Sequence, residues 1–167
     1  MSRRRESGNG TPAVAALTAS GVAFTLHPYD HDPAQTHFGD EASAALGVAP
    51  DRLFKTLIVS FQGGPGPLGC AVVPVSAQLD LRTLAQLSGA KKVNLADAAL
   101  AERTTGYIVG GISPLGQKRP LPTWVDSSAL DWPTVFVSAG RRGLQVELSP
   151  ADLVRLASAS VGRIARG

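Results

Sequence analysis

Three histidines and four carboxylates crowd one short stretch of the chain: His27, His31 and His37, with Asp30, Asp32, Asp40 and Glu41. Imidazoles and carboxylates together suit zinc or iron. The stretch also holds Pro28 and Pro33, has no helical His-Glu-x-x-His pair, and is followed by no further histidine. Residues that cap turns and bond to backbone are therefore the better reading. A Ser-His-Asp hydrolase fares no better, because no serine sits in a Gly-x-Ser-x-Gly elbow.

Lys55 carries more information. It lies in Leu53-Phe54-Lys55-Thr56-Leu57-Ile58-Val59, an apolar run with strand character. An ammonium there either snorkels to water or faces a polar cleft, since an unpaired buried charge is costly. In a cleft it could hold phosphate or ribose oxygens, or form a Schiff base if its pKa fell. Gly106 to Gln117 is rich in glycine and holds Pro114, so a ligand can approach its backbone or it is an ordinary turn. Val137 to Leu144 reads as strand, tight turn and strand, with the small Ser138 at a strand end.

Basic residues come in pairs at Lys91-Lys92, Lys118-Arg119 and Arg141-Arg142, although the net charge is only +3. Such pairs suit a phosphate backbone, because each neutralised phosphate releases counterions. They are equally at home as solvated loop charges. Three in one small domain favour an RNA partner without identifying it.

The helices and strands around these residues follow an irregular order. Thr11-Pro12 opens a helix that Gly21 closes, and Val22 to His27 alternates as a strand. Asp40 to Leu46 is a short helix stopped by Gly47. Leu53 to Phe61 and Cys70 to Val75 are strands joined through Gly63-Gly64-Pro65-Gly66-Pro67. Leu81 to Leu87 and Asp97 to Arg103 are helical, the first capped by Asp80. Tyr107 to Val109, Trp124 to Asp126, Val135 to Ser138 and Leu144 to Leu148 are strand candidates, and Ser149-Pro150 starts a last helix reaching Ser158. Strands gathered in pairs with scattered helices argue against a doubly wound parallel sheet. The expected fold is α/β of the α+β type: a mixed, largely antiparallel sheet or partly closed barrel surrounded by helices, in one domain.

Composition sets the outer bounds. With 44% hydrophobic and 17% charged residues, the 167-residue chain can bury a core without staples. Its single cysteine, Cys70, allows no internal disulfide and fits a reducing cytoplasm. No apolar run nears the roughly 20 residues needed to span a bilayer. Residues 1–10 carry Arg3, Arg4 and Arg5 without a following apolar stretch, so they read as a disordered extension, leaving 11–167 as the domain. No Gly-rich dinucleotide loop or Walker loop is present.

Several motifs occur in one characteristic order. They are Thr11-Pro12-Ala13-Val14, His31-Asp32-Pro33-Ala34, Phe38-Gly39-Asp40-Glu41, Phe54-Lys55-Thr56-Leu57, Gln78-Leu79-Asp80-Leu81 and Gly89-Ala90-Lys91-Lys92, then Thr105-Gly106-Tyr107, Gly110 to Lys118 and Gly140 to Leu144. Together they resemble the YbaK family, free-standing relatives of the editing domain inserted in bacterial prolyl-tRNA synthetase. The resemblance covers about residues 11 to 165.

It implies a cytoplasmic hydrolase that deacylates mischarged aminoacyl-tRNA, Cys-tRNA(Pro) above all, without metal or other cofactor. It makes Lys55 the residue tied to activity, with Thr56 beside it. Tyr29 and Phe38 match positions lining the substrate cleft, Gly110, Gly111, Ile112, Ser113 and Pro114 match a loop contacting the aminoacyl end, and Ser138 with Gly140 matches the cleft edge. The basic pairs Lys91, Lys92, Lys118, Arg119, Arg141 and Arg142 become candidates for tRNA contact, with prolyl-tRNA synthetase as a further partner in a ternary complex. One position departs: Gln145 stands where relatives often carry an aspartate, which keeps hydrogen bonding and loses charge. An aminoacyl ester is already activated, so the implied mechanism is positioning, oxyanion stabilisation and attack by the substrate's own thiol. The alternatives are water-dependent editing of Ala-tRNA or another small amino acid, and a non-catalytic tRNA- or synthetase-binding module.

Overall fold

The computed structural model describes residues 10–167. The expected extension, residues 1–10, lies outside them but for Gly10. Local signals set most elements. Helix α1, Pro12–Ser20, begins where Thr11 Oγ1 accepts the Val14 amide, with proline in its first turn, and ends at Gly21. The Thr11 hydroxyl also donates to the Ala139 carbonyl at 2.5 Å, so the cap ties the helix to a distant strand. Strand β1, Phe24–Pro28, leads through an irregular stretch to α2, Phe38–Leu46.

Strands β2 (Phe54–Gln62) and β3 (Leu68–Pro74) form the expected hairpin, Lys55 pairing with Val73. The short β4 (Gln78–Leu79) precedes α3 (Leu81–Ser88), whose first turn is capped by the Asp80 carboxylate through the Thr83 amide. Next come β5 (Lys92–Leu95), α4 (Ala98–Thr105), a long loop, β6 (Thr123–Asp126) and a 3-10 turn. The hairpin β7 (Val135–Arg141) and β8 (Leu144–Leu148) is followed by α5 (Pro150–Leu156), β9 (Ser160–Gly162) and β10 (Ala165–Arg166).

Three sheets result, in the orders β5-β2-β3-β6-β9, β1-β8-β7 and β10-β4. All pairings are antiparallel except β3 with β6 and β6 with β9. The fold is therefore mixed α/β with largely antiparallel sheets and five α-helices among the described residues, and no barrel closes. The two larger sheets touch where Leu53 bridges Phe136, just before β2.

Period-two alternation lets β3 serve two cores at once. Cys70 and Val72 face the space shared with α1, β7, β8 and α5, whereas Ala71 and Val73 join Leu84, Ala85, Val93, Trp124 and Ile164 under α3. Cys70 is wholly buried, and burial pushes its thiol up to about 12.

One expected strand is absent. Tyr107 to Val109 is a turn, because side chains take the backbone groups that a ladder would use. The Tyr107 amide donates to Thr105 Oγ1, the Val109 amide to Glu102, and the Val109 carbonyl accepts from Arg142. Buried Tyr107 meanwhile donates its phenol to the Leu115 carbonyl at 2.7 Å and closes the loop on itself.

Candidate active site

A cleft of about 300 Å³ opens where the start of β2 meets the N-terminus of α2, the 106–117 loop, β7 and β8. Of the residues expected to act on substrate, Lys55, Thr56, Phe38, Gly110, Ile112 and Ser138 all line it. Residues scattered over a hundred positions are thus gathered by the contact between the two sheets.

Lys55 follows Phe54, which is 1% exposed and anchors the strand in the core. Burial lowers the pKa of the lysine below its ordinary value, while the charge of Asp40 opposes that shift. Asp40 sits in the first turn of α2 and lines the same cleft.

Two oxygens beside this lysine define what the cleft can bind. Thr56 Oγ1 and Gln145 Oε1 are buried without a hydrogen-bond partner, and both residues line the cleft. Leaving such a group unpaired costs about 1–3 kcal/mol, so the site favours a polar ligand that brings a donor to Gln145 Oε1 and either a donor or an acceptor to the Thr56 hydroxyl. Hydroxyl and ammonium groups are donors of that kind. The Gln145 side chain is 6% exposed, and burial is the chief cause that raises the pKa of the neighbouring Tyr29 phenol. Tyr29 stands behind Gln145, outside the cleft lining, and its amide donates to the Gly143 carbonyl at 2.9 Å.

The rest of the 106–117 loop supports the wall from behind. Ser113 is fully buried, and its Oγ accepts the Leu115 amide. Pro114 is buried beside it. Gly111 backs onto Arg141, with backbone only 2.8 Å from where a Cβ would stand. Gly140 lies between Tyr107 and Thr11, with φ +108. Gly111, Ser113, Pro114 and Gly140 are not among the cleft-lining residues.

His37, Asp40, Val75, Val109 and Gln145 also line the cleft. Gln145 carried the same signal as Lys55, a polar residue between the apolar Leu144 and Val146. Asp40 stood out only as one of the clustered carboxylates, and nothing in the sequence tied it to Lys55, because an acid in a helix's first turn is ordinary. The other histidines are engaged elsewhere: His27 is bonded to Glu147 at 2.9 Å, and His31 to Glu41 at 2.6 Å. Hydrogen bonds from His31 and the Asp32 amide hold the Glu41 carboxyl below its usual value, although burial pushes the other way.

The basic pairs separate into two kinds. Lys91, Lys92, Lys118 and Arg119 are exposed. Lys92 pairs with Gln62 at the end of β2 opposite Lys55, about 24 Å away at the strand's rise of about 3.4 Å per residue. Arg141 and Arg142 are partly buried in the β7–β8 turn. Arg142 stacks on Phe38, its guanidinium carbon 4.5 Å from the ring centre, and Arg141 donates to the Arg142 carbonyl.

Known proteins resemble this chain in sequence and in fold. A curated relative from Enterococcus faecalis, provisionally named Cys-tRNA(Pro)/Cys-tRNA(Cys) deacylase EbsC, is 39% identical over 137 residues, covering 81% of this chain and 82% of its own. The crystal structure of a provisionally assigned trans-editing enzyme for prolyl-tRNA synthetase superposes with a TM-score of 0.80 at 25% identity, covering 95% of this chain and 99% of its own. A crystal structure of a hypothetical protein gives 0.82 at 29% identity, covering 93% and 100%. The model of the aminoacyl-tRNA editing domain matches residues 31–156. With its fold and most of its length in agreement, the chain belongs to the aminoacyl-tRNA editing domain family.

Proposed function

We propose that this protein is a trans-acting editing hydrolase that deacylates mischarged aminoacyl-tRNA in the cytoplasm, with Cys-tRNA(Pro) as its substrate. The observation that carries the reading is the juxtaposition, in one cleft, of the half-buried Lys55 with two unpartnered oxygens, the Thr56 hydroxyl and the acceptor Gln145 Oε1. An aminoacyl-adenosine end offers matching groups: ribose hydroxyl and α-ammonium donors for these oxygens, and phosphate or a developing oxyanion for the lysine. The names of the enterococcal relative and of the trans-editing structure support cysteine as the amino acid and a prolyl-tRNA synthetase as the companion of the tRNA.

Chemistry needs little from the protein once the ester is positioned. The cysteine sulfur attacks its own ester carbonyl, a carbon–sulfur bond forms and the carbon–oxygen bond to ribose breaks. The thiol proton ends on the departing ribose oxygen, leaving uncharged tRNA and a four-membered thiolactone that water then opens. Cysteine suits this route because a thiol with a reference pKa near 8.5 has a few per cent thiolate at neutral pH. Lys55 orients the end of the tRNA and stabilises oxyanion charge, while Phe38 and the Ile112 side shape the amino-acid pocket.

A deacylation panel with Cys-, Ala-, Ser- and Pro-tRNA tests the proposal. Preference for Cys-tRNA, with an early product that traps as the thiolactone, is expected. Efficient hydrolysis of Ala- and Ser-tRNA with no trappable thiolactone would replace it by a water-dependent editor. Tight tRNA binding without hydrolysis would leave a binding module.

A further inference from the structure

Arg142 was a candidate for tRNA phosphate, but the structure gives its guanidinium other work. Nε donates to the Val109 carbonyl at 2.9 Å, and the same planar group covers the Phe38 ring at 4.5 Å. The Val109 amide, on the other side of that residue, donates to Glu102 Oε2 at 2.9 Å. Both backbone groups of Val109 are thus held by side chains of opposite charge, one from α4 and one from the β7–β8 turn. The next residue, Gly110, has φ +89 and lies so close to Phe38 that a Cβ would stand 2.7 Å from the ring. Phe38 is flanked by the guanidinium and by Gly110. Phe38, Val109 and Gly110 all line the cleft.

We propose that Arg142 is a positioning residue for deacylation: it locks Phe38 and the Val109–Gly110 backbone together as one rigid wall of the cleft, with Glu102 securing the far side of Val109. The proposal rests on the editing activity argued above. A guanidinium can donate in its plane and stack through its face at once, which an ammonium cannot, so lysine is no substitute here. A phosphate ligand would tolerate lysine, and this difference separates the two roles.

The experiment compares Arg142→Lys and Arg142→Gln with wild type on full-length Cys-tRNA and on a short aminoacylated acceptor-stem hairpin. Both variants should lose roughly 10-fold to 100-fold in kcat on both substrates, the range expected when a reacting group is misplaced by about an ångström. Affinity for uncharged tRNA, and the slope of its logarithm against log salt, should stay as in wild type. Wild-type kcat in Arg142→Lys, or a salt slope reduced by about one in Arg142→Gln, would overturn the proposal and make Arg142 a phosphate ligand. Glu102→Gln should lower kcat in the same direction, and its effect should not add to that of Arg142→Lys. Additive losses would count against a shared wall.

A readout independent of substrate keeps this separable from the proposed function. In protein labelled with 4-fluorophenylalanine, the Phe38 resonance should move in Arg142→Lys while the other four phenylalanines hold still. An unmoved Phe38 resonance refutes the wall whatever ester is hydrolysed. A moved one, together with a wild type inactive on Cys-tRNA, rejects the substrate and leaves the wall in place.

Discussion

Gly110 and the ring of Phe38 leave no room for a methyl group between them: a Cβ at 110 would stand 2.7 Å from the ring atoms, and φ there is +89. Gly110→Ala must therefore move the phenylalanine or the loop, and strains the backbone besides. The expected loss is about 1–2 kcal/mol of stability and a larger proportional loss in turnover, since both displaced groups line the cleft. Urea unfolding beside single-turnover deacylation checks this. A variant that melts far below wild type while its folded fraction stays fully active would reduce the loop to scaffolding.

Lys55→Ala should fold, because the side chain faces a cleft rather than filling the core, and should lose about 100-fold or more in deacylation. The pH dependence carries a sign. Burial already lowers the Lys55 pKa and the Asp40 charge holds it up. Asp40→Asn removes that support, so the lysine loses its proton at lower pH and the alkaline limb of the rate profile moves to lower pH. Rates corrected for spontaneous ester hydrolysis measure the limb; coincident limbs would uncouple Asp40 from Lys55.

Charge reversal at Lys118 and Arg119 should weaken tRNA binding and flatten its salt dependence while kcat at saturation holds. The Lys91–Lys92 pair, at the opposite end of β2 from Lys55, can meet only a part of the tRNA remote from the aminoacyl end. Reversal there should affect full-length tRNA and spare a short acceptor-stem substrate. Filter binding across a salt series reads both. Affinities that ignore salt, or variants that match wild type, would remove the pairs from the interface.

The Glu147 carboxyl links His27 on β1 and Arg52 to β8, and the Thr134 hydroxyl donates to it at 2.6 Å. That hydroxyl bond, helped by His27 and Arg52 and opposed by burial, lowers its pKa below 4.5. A carboxyl depressed by folding contributes stability that is present above its unfolded pKa and lost as pH falls through the folded one. Glu147→Gln should thus cost about 1–3 kcal/mol at pH 7, with the gap from wild type narrowing below about pH 4.5. Urea titrations at pH 7 and at pH 3.5 compare the two. A gap unchanged at low pH would show that the shape of the side chain matters and its charge does not.

What the sequence disclosed follows from range. Thr11, Asp80 and Ser149 cap helices through amides three residues away, and Gly21 and Gly47 stop them, so these ends could be read directly. Strands β5, β9 and β10 could not, because they are short edge pieces; in β5 only Val93 is buried. Lys55 announced itself as a charge inside an apolar run. The Tyr107–Val109 turn was misread as a strand because its apolar residues hide backbone groups held by Glu102 and Arg142, which lie 7 and 33 positions away from Val109. Arg142 itself read as one of a basic pair, since nothing local marks the stack on Phe38.

Cys70 is the only cysteine, wholly enclosed, and burial pushes its thiol up to about 12. A folded sample therefore adds nothing to a sulfhydryl titration, and an aromatic disulfide reagent added to a Cys-tRNA reaction counts only the thiols of substrate and product together. The same silence makes the chain its own reporter of opening: the rate at which an alkylating probe reaches Cys70 follows how often β3 is laid bare between the two cores.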